Sequence, residues 1–253
     1  MAIKRYVANA DNTITNAFDA SLLNTNRATG SNTGRSDVLE IFSIYGQISG
    51  SDPAYFPGES QELSRVLLNF PVSDIITDRT NGKIPASGSV SFYLRMFNAE
   101  HGMTLPRDYK LEIKAVTSQW EEGRGLDMEN YSDITRDGTG SNWINRLGSN
   151  PASTWTTAGG DYIAEDNHFD LRYFTASFVK GDEDLEINVT DLVEDWVKGA
   201  DASGIANYGV GIMLSSSLEN DTTSYYTKKF FSRSSEFFYK RPVLEARWDS
   251  STR

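Results

Sequence analysis

The sequence predicts an all-β sandwich, and three observations lead there. Short runs with a two-residue hydrophobic period recur along the chain, about nine in all. Only the stretch from Leu185 to Leu214 reads as strand, helical turn, strand, and no regular strand–helix alternation surrounds it. The 253 residues, 38% hydrophobic and 12% aromatic, suffice for one large β domain, since such sandwiches reach roughly 200–250 residues. Residues 1–253 are accordingly expected to form a single domain; no repeat of fixed period is present.

Residues 1–36 are rich in Asn and Thr; Ile3, Tyr6 and Val7 suit a first strand, and the rest reads as an extended N-terminal segment. Val38, Phe42 and Ile44 face one way and Leu39, Ile41 and Tyr45 the other, which suits a central strand. Residues 46–60, with Pro53 and Pro57, read as a loop. Leu63 to Phe70 is a strand ended by Pro71, which lacks an N–H; Asn81-Gly82 marks a turn. Val90, Phe92, Leu94 and Met96 alternate with Ser91, Tyr93 and Arg95, and Tyr109, Leu111, Ile113 and Ala115 with Lys110, Glu112 and Lys114.

Residues 121–170 lose the period and form a long loop-rich insertion with room for a helix or two small strands. Phe174, Ala176 and Phe178 resume the strands, followed by Leu185, Ile187 and Val189. Thr190 and Asp191 then stand where side-chain oxygens cap a helix. Leu192, Val193, Trp196 and Val197 share one side of that single short helix, and Gly199 suits its stop. Trp196 is placed to plug one end of the sandwich. Tyr208, Val210, Ile212 and Leu214 alternate next; Tyr225 to Phe238 reads as a hairpin or a strand plus loop; Leu244, Ala246 and Trp248 form the last strand. Trp120, Trp196 and Trp248 are expected in the core.

Composition excludes several classes. Lys and Arg number 24 and Asp and Glu 35, a net charge of −11 that opposes binding to nucleic acid or to an anionic membrane surface. There is no cysteine, hence no disulfide framework or thiolate metal site, and His101 and His168 are the only histidines. No apolar run approaches the ~20 residues of a membrane span. The N-terminus MAIKRYVANAD lacks the apolar segment of about 7–15 residues of a secretory signal, so folding in a reducing cytoplasm is expected.

The order of motifs adds a resemblance. SRVLLNFPVSDI, IPASGSVSFYLRMF, LEIKAVTSQWEEG, LEINVTDLVEDWVKG, NYGVGIML and FFSRSSEFFYKRPVLEARW follow one another. This resembles the DNRLRE-type domains, jelly-roll sandwiches related to carbohydrate-binding modules and to the propeptides of transforming growth factor β. The family segments match Ile187–Trp196, Asn207–Val210 and Arg241–Trp248, and the similarity covers residues 36–120 and 174–248. The phrases ITNAF, SDVLEIFSIYGQ, LDMENYSD, WTTAGGDY and YYTKKFF are similar to virion structural proteins of tailed phages of marine cyanobacteria. In such proteins the chain often continues beyond the RPVLEARWD strand. The resemblance implies a jelly-roll β-sandwich and a non-enzymatic role in a virion assembled in the host cytoplasm: head decoration, head fibre, or tail or baseplate attachment.

Glu121, Glu122, Asp127, Glu129 and Asp133 cluster in the insertion, where two carboxylates at about 5–9.5 Å would serve glycoside cleavage; a solvated acidic loop is the default reading. Asp133, Asp137 and Gly138 fail as an EF-hand loop, because Thr135 and Ile144 occupy ligand positions. A calcium site of loop carboxylates stays open, and no other cofactor is expected. Trp143, Trp155 and Tyr162 are candidates for a sugar platform, though core or subunit contact is the favoured reading. Tyr225, Tyr226, Phe230, Phe231, Phe237 and Phe238, beside Lys228, Lys229 and Arg233, are the candidate subunit interface, preferred over single-stranded nucleic acid. The expected partners are other virion proteins and copies of the chain itself. The alternative is a carbohydrate-binding module for host-surface polysaccharide.

Overall fold

A computed structural model describes residues 1–18, 27–44, 61–102, 105–126, 139–148, 153–164, 171–221 and 225–251. Eleven strands are described: β1 (Ala2–Val7), β2 (Ala10–Thr15), β3 (Val38–Ile44), β4 (Glu62–Asn69), β5 (Ser91–Met96), β6 (Tyr109–Ala115), β7 (Tyr173–Phe178), β8 (Leu185–Asn188), β9 (Val210–Leu214), β10 (Tyr225–Phe231) and β11 (Val243–Trp248). Three helices accompany them, α1 (Val72–Thr80), α2 (Thr190–Lys198) and α3 (Ser216–Glu219). The small sheet has the order β1-β11-β5-β8, and the large one β10-β3-β4-β9-β6-β7, with β2 paired to β4. After β4 the chain crosses to the small sheet for β5, returns for β6 and β7, crosses for β8, returns for β9 and β10, and crosses last for β11. All pairings are antiparallel. This is a jelly-roll-like sandwich, as expected.

The two-residue period decides which layer each side chain enters. Val66, Leu68 and Phe70 from β4 and its end, Leu111, Ile113 and Ala115 from β6, and Val210, Ile212 and Leu214 from β9 face inward. They meet Phe92, Leu94 and Met96 from β5 and Leu244 and Ala246 from β11. Burying each of the larger of these side chains is worth about 1.5–3 kcal/mol. On the other face of the small sheet, Glu245 is buried among Arg5, Arg95 and Arg247, at 2.8, 3.3 and 2.6 Å.

Leu192, Val193 and Trp196 of α2 are buried in the main core, as expected of the plug. Two details differ. Thr190 does not cap the helix: its hydroxyl accepts from the Phe92 amide at 2.9 Å and donates to Asn188 Oδ1 at 2.6 Å, tying the helix start to β5. Gly199, at φ +72°, does end the helix. The second difference is α1, where no helix was expected. It packs on α2 through Arg79, whose guanidinium donates twice to Glu194 at 2.6 and 2.9 Å. Its sequence turns only Val72, Ile75 and Asp78 inward, too thin an apolar stripe to read as helical.

The N-terminal segment is also more regular than its sequence suggests. β2 pairs along β4, although it reads ADNTIT. Its polar side chains are buried because other segments bond to them. Asn12 Nδ2 donates to the Ser141 carbonyl and hydroxyl at 2.9 Å, and the Thr33 amide donates to Asn12 Oδ1 at 3.0 Å. Buried polar groups require such partners.

The described part of the 121–170 insertion covers the outer face of the large sheet. Ile14, Leu67, Val116, Trp143 and Trp155 form a second, smaller core there. The odd-numbered residues of β4 point into this layer and the even-numbered ones into the main core, as the strand pleat demands.

Candidate functional site

β10 splits the aromatic stretch between two faces. Tyr226, Lys228 and Phe230 turn inward: Phe230 is wholly buried against Phe178, and Tyr226 lies against Tyr109 with ring centroids 6.1 Å apart. The expectation of an interface at Phe230 and Tyr226 is thereby corrected, because the alternation sends them to the core. Lys228 accompanies them, its ammonium donating to Asn98 Oδ1, Gly181 O and Glu183 O at 2.8, 2.9 and 2.6 Å. Burial pushes this amine down to about 8, against the pull of Glu183, Asp184 and Asp182. The strand's free edge is partly covered too: the Ala99 amide donates to Lys229 O, and the Phe231 amide to Phe97 O, both at 3.0 Å.

What remains outside lies beyond the strand. Phe237, Phe238 and Tyr239 are 51, 57 and 78% exposed on a 3-10 turn between β10 and β11. Phe231, half-buried, meets Phe237 edge-on at 5.3 Å, and Phe238 meets Tyr239 at 5.4 Å. Lys240 lies 4.7 Å from the Phe231 ring and Arg241 5.4 Å from the Phe238 ring. Within 233–241 the charges are Arg233, Glu236, Lys240 and Arg241, a basic aromatic knob on an acidic protein. Tyr225, at the far end of β10, is 44% exposed.

The turn is anchored rather than loose. The Ser232 amide donates to Asp37 O at 3.0 Å and its hydroxyl to Ser36 O at 2.5 Å. The Arg233 amide donates to Asp11 Oδ2 at 2.6 Å, and its guanidinium forms a two-pronged ion pair with Glu122. Glu122 also accepts from the Asp11 amide at 2.9 Å. The sequence singles out Arg233 only as a basic residue of the aromatic stretch, and nothing in it marks Asp11 as its partner, because the two lie 222 residues apart and no local pattern links them.

The aromatic residues of the insertion are placed differently. Trp143 and Trp155 are 7 and 4% exposed, and the Trp155 indole donates to Asn142 O at 2.8 Å. They are core, which removes them as a sugar-stacking platform: the insertion needed its own hydrophobic centre. Tyr162 is half-buried, its ring against Gly211 and its hydroxyl donating to Gly159 O at 2.8 Å. Burial pushes that hydroxyl up to about 12. Tyr162 borders a depression of about 480 Å³ whose charged groups are already engaged. Arg65 grips Glu219 at 2.7 and 2.9 Å, Lys114 meets Glu112 at 2.9 Å, and Asp161 accepts from Ser118 and from the amides of Thr156 and Thr157.

Of the acidic candidates, Glu121 is exposed and Glu122 is bound by Arg233. Asp127, Glu129 and Asp133 lie outside the described residues, as do Thr135, Asp137, Gly138 and His168. Ile144 is on the surface and His101 is half-buried, its imidazole pKa lowered by burial. Among the described residues no group of three or more His, Cys, Asp or Glu could hold a metal ion, and no helix is long and apolar enough to cross a membrane. The chain matches no protein-family model and no curated protein.

Proposed function

We propose that the chain is a non-enzymatic structural subunit of a tailed-phage particle, in head decoration, a head fibre, or tail or baseplate attachment. It works by surface contact with copies of itself and with neighbouring virion proteins, after assembly in the host cytoplasm. The observation that carries this reading is the run Phe237, Phe238 and Tyr239, three consecutive exposed aromatics on an anchored turn. Exposed apolar groups of this kind mark contact sites, and aromatic residues are enriched at the centres of interfaces. Lys240 and Arg241 beside them complement the acidic remainder of a second copy. The motif resemblance to phage virion proteins supports the same reading, and repeated symmetric copies fit a particle.

Light scattering on the purified chain, with Phe238→Ser/Tyr239→Ser as comparison, tests it. Concentration-dependent association of the wild type, lost in the double variant and weakened by salt, is expected. A wild type that stays monomeric at every concentration and is absent from purified particles would overturn it.

A further inference from the structure

We infer that the turn presenting Phe237–Tyr239 is held by a proton-controlled clamp, seated while the buried Asp11 carboxyl carries its proton and loosened when that proton leaves. Its role in assembly rests on the proposed function; the clamp itself does not.

The geometry is that of two carboxyl groups sharing one guanidinium. Asp11 lies on β2, wholly buried. Its Oδ2 accepts from the Arg233 amide, but its Oδ1 has no hydrogen-bond partner among the described residues and stands 4.0 Å from Arg233 Nε. The guanidinium is turned instead to Glu122, which it grips with two donors. The charged groups facing Asp11 are therefore Glu122 from the insertion and Arg233 from the turn. β4 places Leu68 opposite Asp11, and the neighbouring segment contributes the uncharged Ser31, Asn32 and Thr33, with Arg35 and Asp37 exposed. One cation is committed to one carboxylate, and among the described residues a second negative charge in the same dry site has no cation of its own.

Burial pushes Asp11 up to about 7, opposed by the Arg233 amide and reinforced by Glu122. The folded pKa is raised above the unfolded value, so the closed form binds the proton more tightly than the open form. Stability of the clamp is full in acid and falls as pH rises towards the folded pKa. Asp11 and Glu122 hold the segment at Arg233, so the part loosened is Arg233 to Arg241, with the aromatic turn inside it, while Ser232 stays tied to Ser36 and Asp37.

Hydrogen exchange of the full chain, corrected for intrinsic rates, reads the clamp directly. Opening of the Arg233–Arg241 amides should rise roughly thirtyfold between about pH 5.5 and about pH 8.5 relative to β6 amides. In Asp11→Asn, which keeps the shape and removes the charge, the same amides should show no such rise. An identical pH course in both proteins would overturn the clamp. Should Asp11→Asn fail to fold, the Asp11 carboxyl carbon of the wild type is titrated by NMR: a midpoint near 7 supports the clamp, and one below about 5 sinks it. Light scattering over the same pH range separates the two readings. A responsive clamp in a chain that never associates and is absent from purified particles defeats the proposed function alone; association over an unresponsive turn defeats the clamp alone.

Discussion

Gly211 offers the sharpest test of how the insertion sits on the large sheet. A Cβ built there would lie 2.1 Å from Tyr162 Cε1 and 2.8 Å from Cδ1, far inside contact distance. Gly211→Ala must therefore displace the ring. Displacement gives up part of the burial of the Tyr162 side chain, about 1.5–3 kcal/mol if complete, and the bond to Gly159 O, about 1 kcal/mol. It also disturbs the Arg65 guanidinium, 5.7 Å from that ring. A loss of about 2–4 kcal/mol is expected, read by urea denaturation, with Tm falling roughly 5–15 °C. Tyr162→Ala should cost a similar amount, and adding Gly211→Ala to it should cost almost nothing, because the clash has gone. The double-mutant cycle thus predicts a coupling of about 2–4 kcal/mol, the whole cost of Gly211→Ala. An unchanged stability in Gly211→Ala, or additive losses, would refute the placement of Tyr162 over this strand.

Two further expectations follow from buried groups. Trp155→Ala should lower stability by about 3–5 kcal/mol in urea denaturation, whereas a surface sugar-stacking tryptophan could be removed with little cost. Lys228, whose folded pKa lies near 8 and below that of an unfolded lysine, leaves the unfolded chain binding more protons between the two values. Wild-type stability should therefore gain on Lys228→Met as pH rises from about 8 to about 10, measured by paired urea titrations; a change of the opposite sign would contradict it.

Strands with one apolar face were legible, and for a plain reason. Phe92, Leu94 and Met96, and Leu111, Ile113 and Ala115, enter one core, so their alternation survives as a pattern in the sequence. β2 was not legible because Asp11, Asn12, Thr13 and Thr15 are buried by partners far along the chain. Tertiary hydrogen bonds replace hydrophobic contact there, and these leave no local trace. α1 was hidden for a related reason: Asp78 faces inward against Lys83 at 3.2 Å and the Tyr6 hydroxyl at 3.0 Å, so a polar residue sits in the stripe that would announce a helix. Of the candidate site, the aromatic stretch stood out by composition, but which of its rings are outside could not be read from adjacency. Phe230 and Phe231 are neighbours, and only the first is wholly buried.

The position of β11 has a consequence for synthesis at the ribosome. It lies between β1 and β5, and among the described residues β1 has no other neighbour in its sheet. Until Val243–Trp248 emerge, β1 waits without a ladder and one flank of β5 is unmet, although more than two hundred residues have already been made. Closure of the sandwich is therefore a late, long-range event, and such pairings fold slowly and leave sticky surface exposed meanwhile. Nascent chains halted before Val243 should be captured by chaperones, and emergence of β11 should free them.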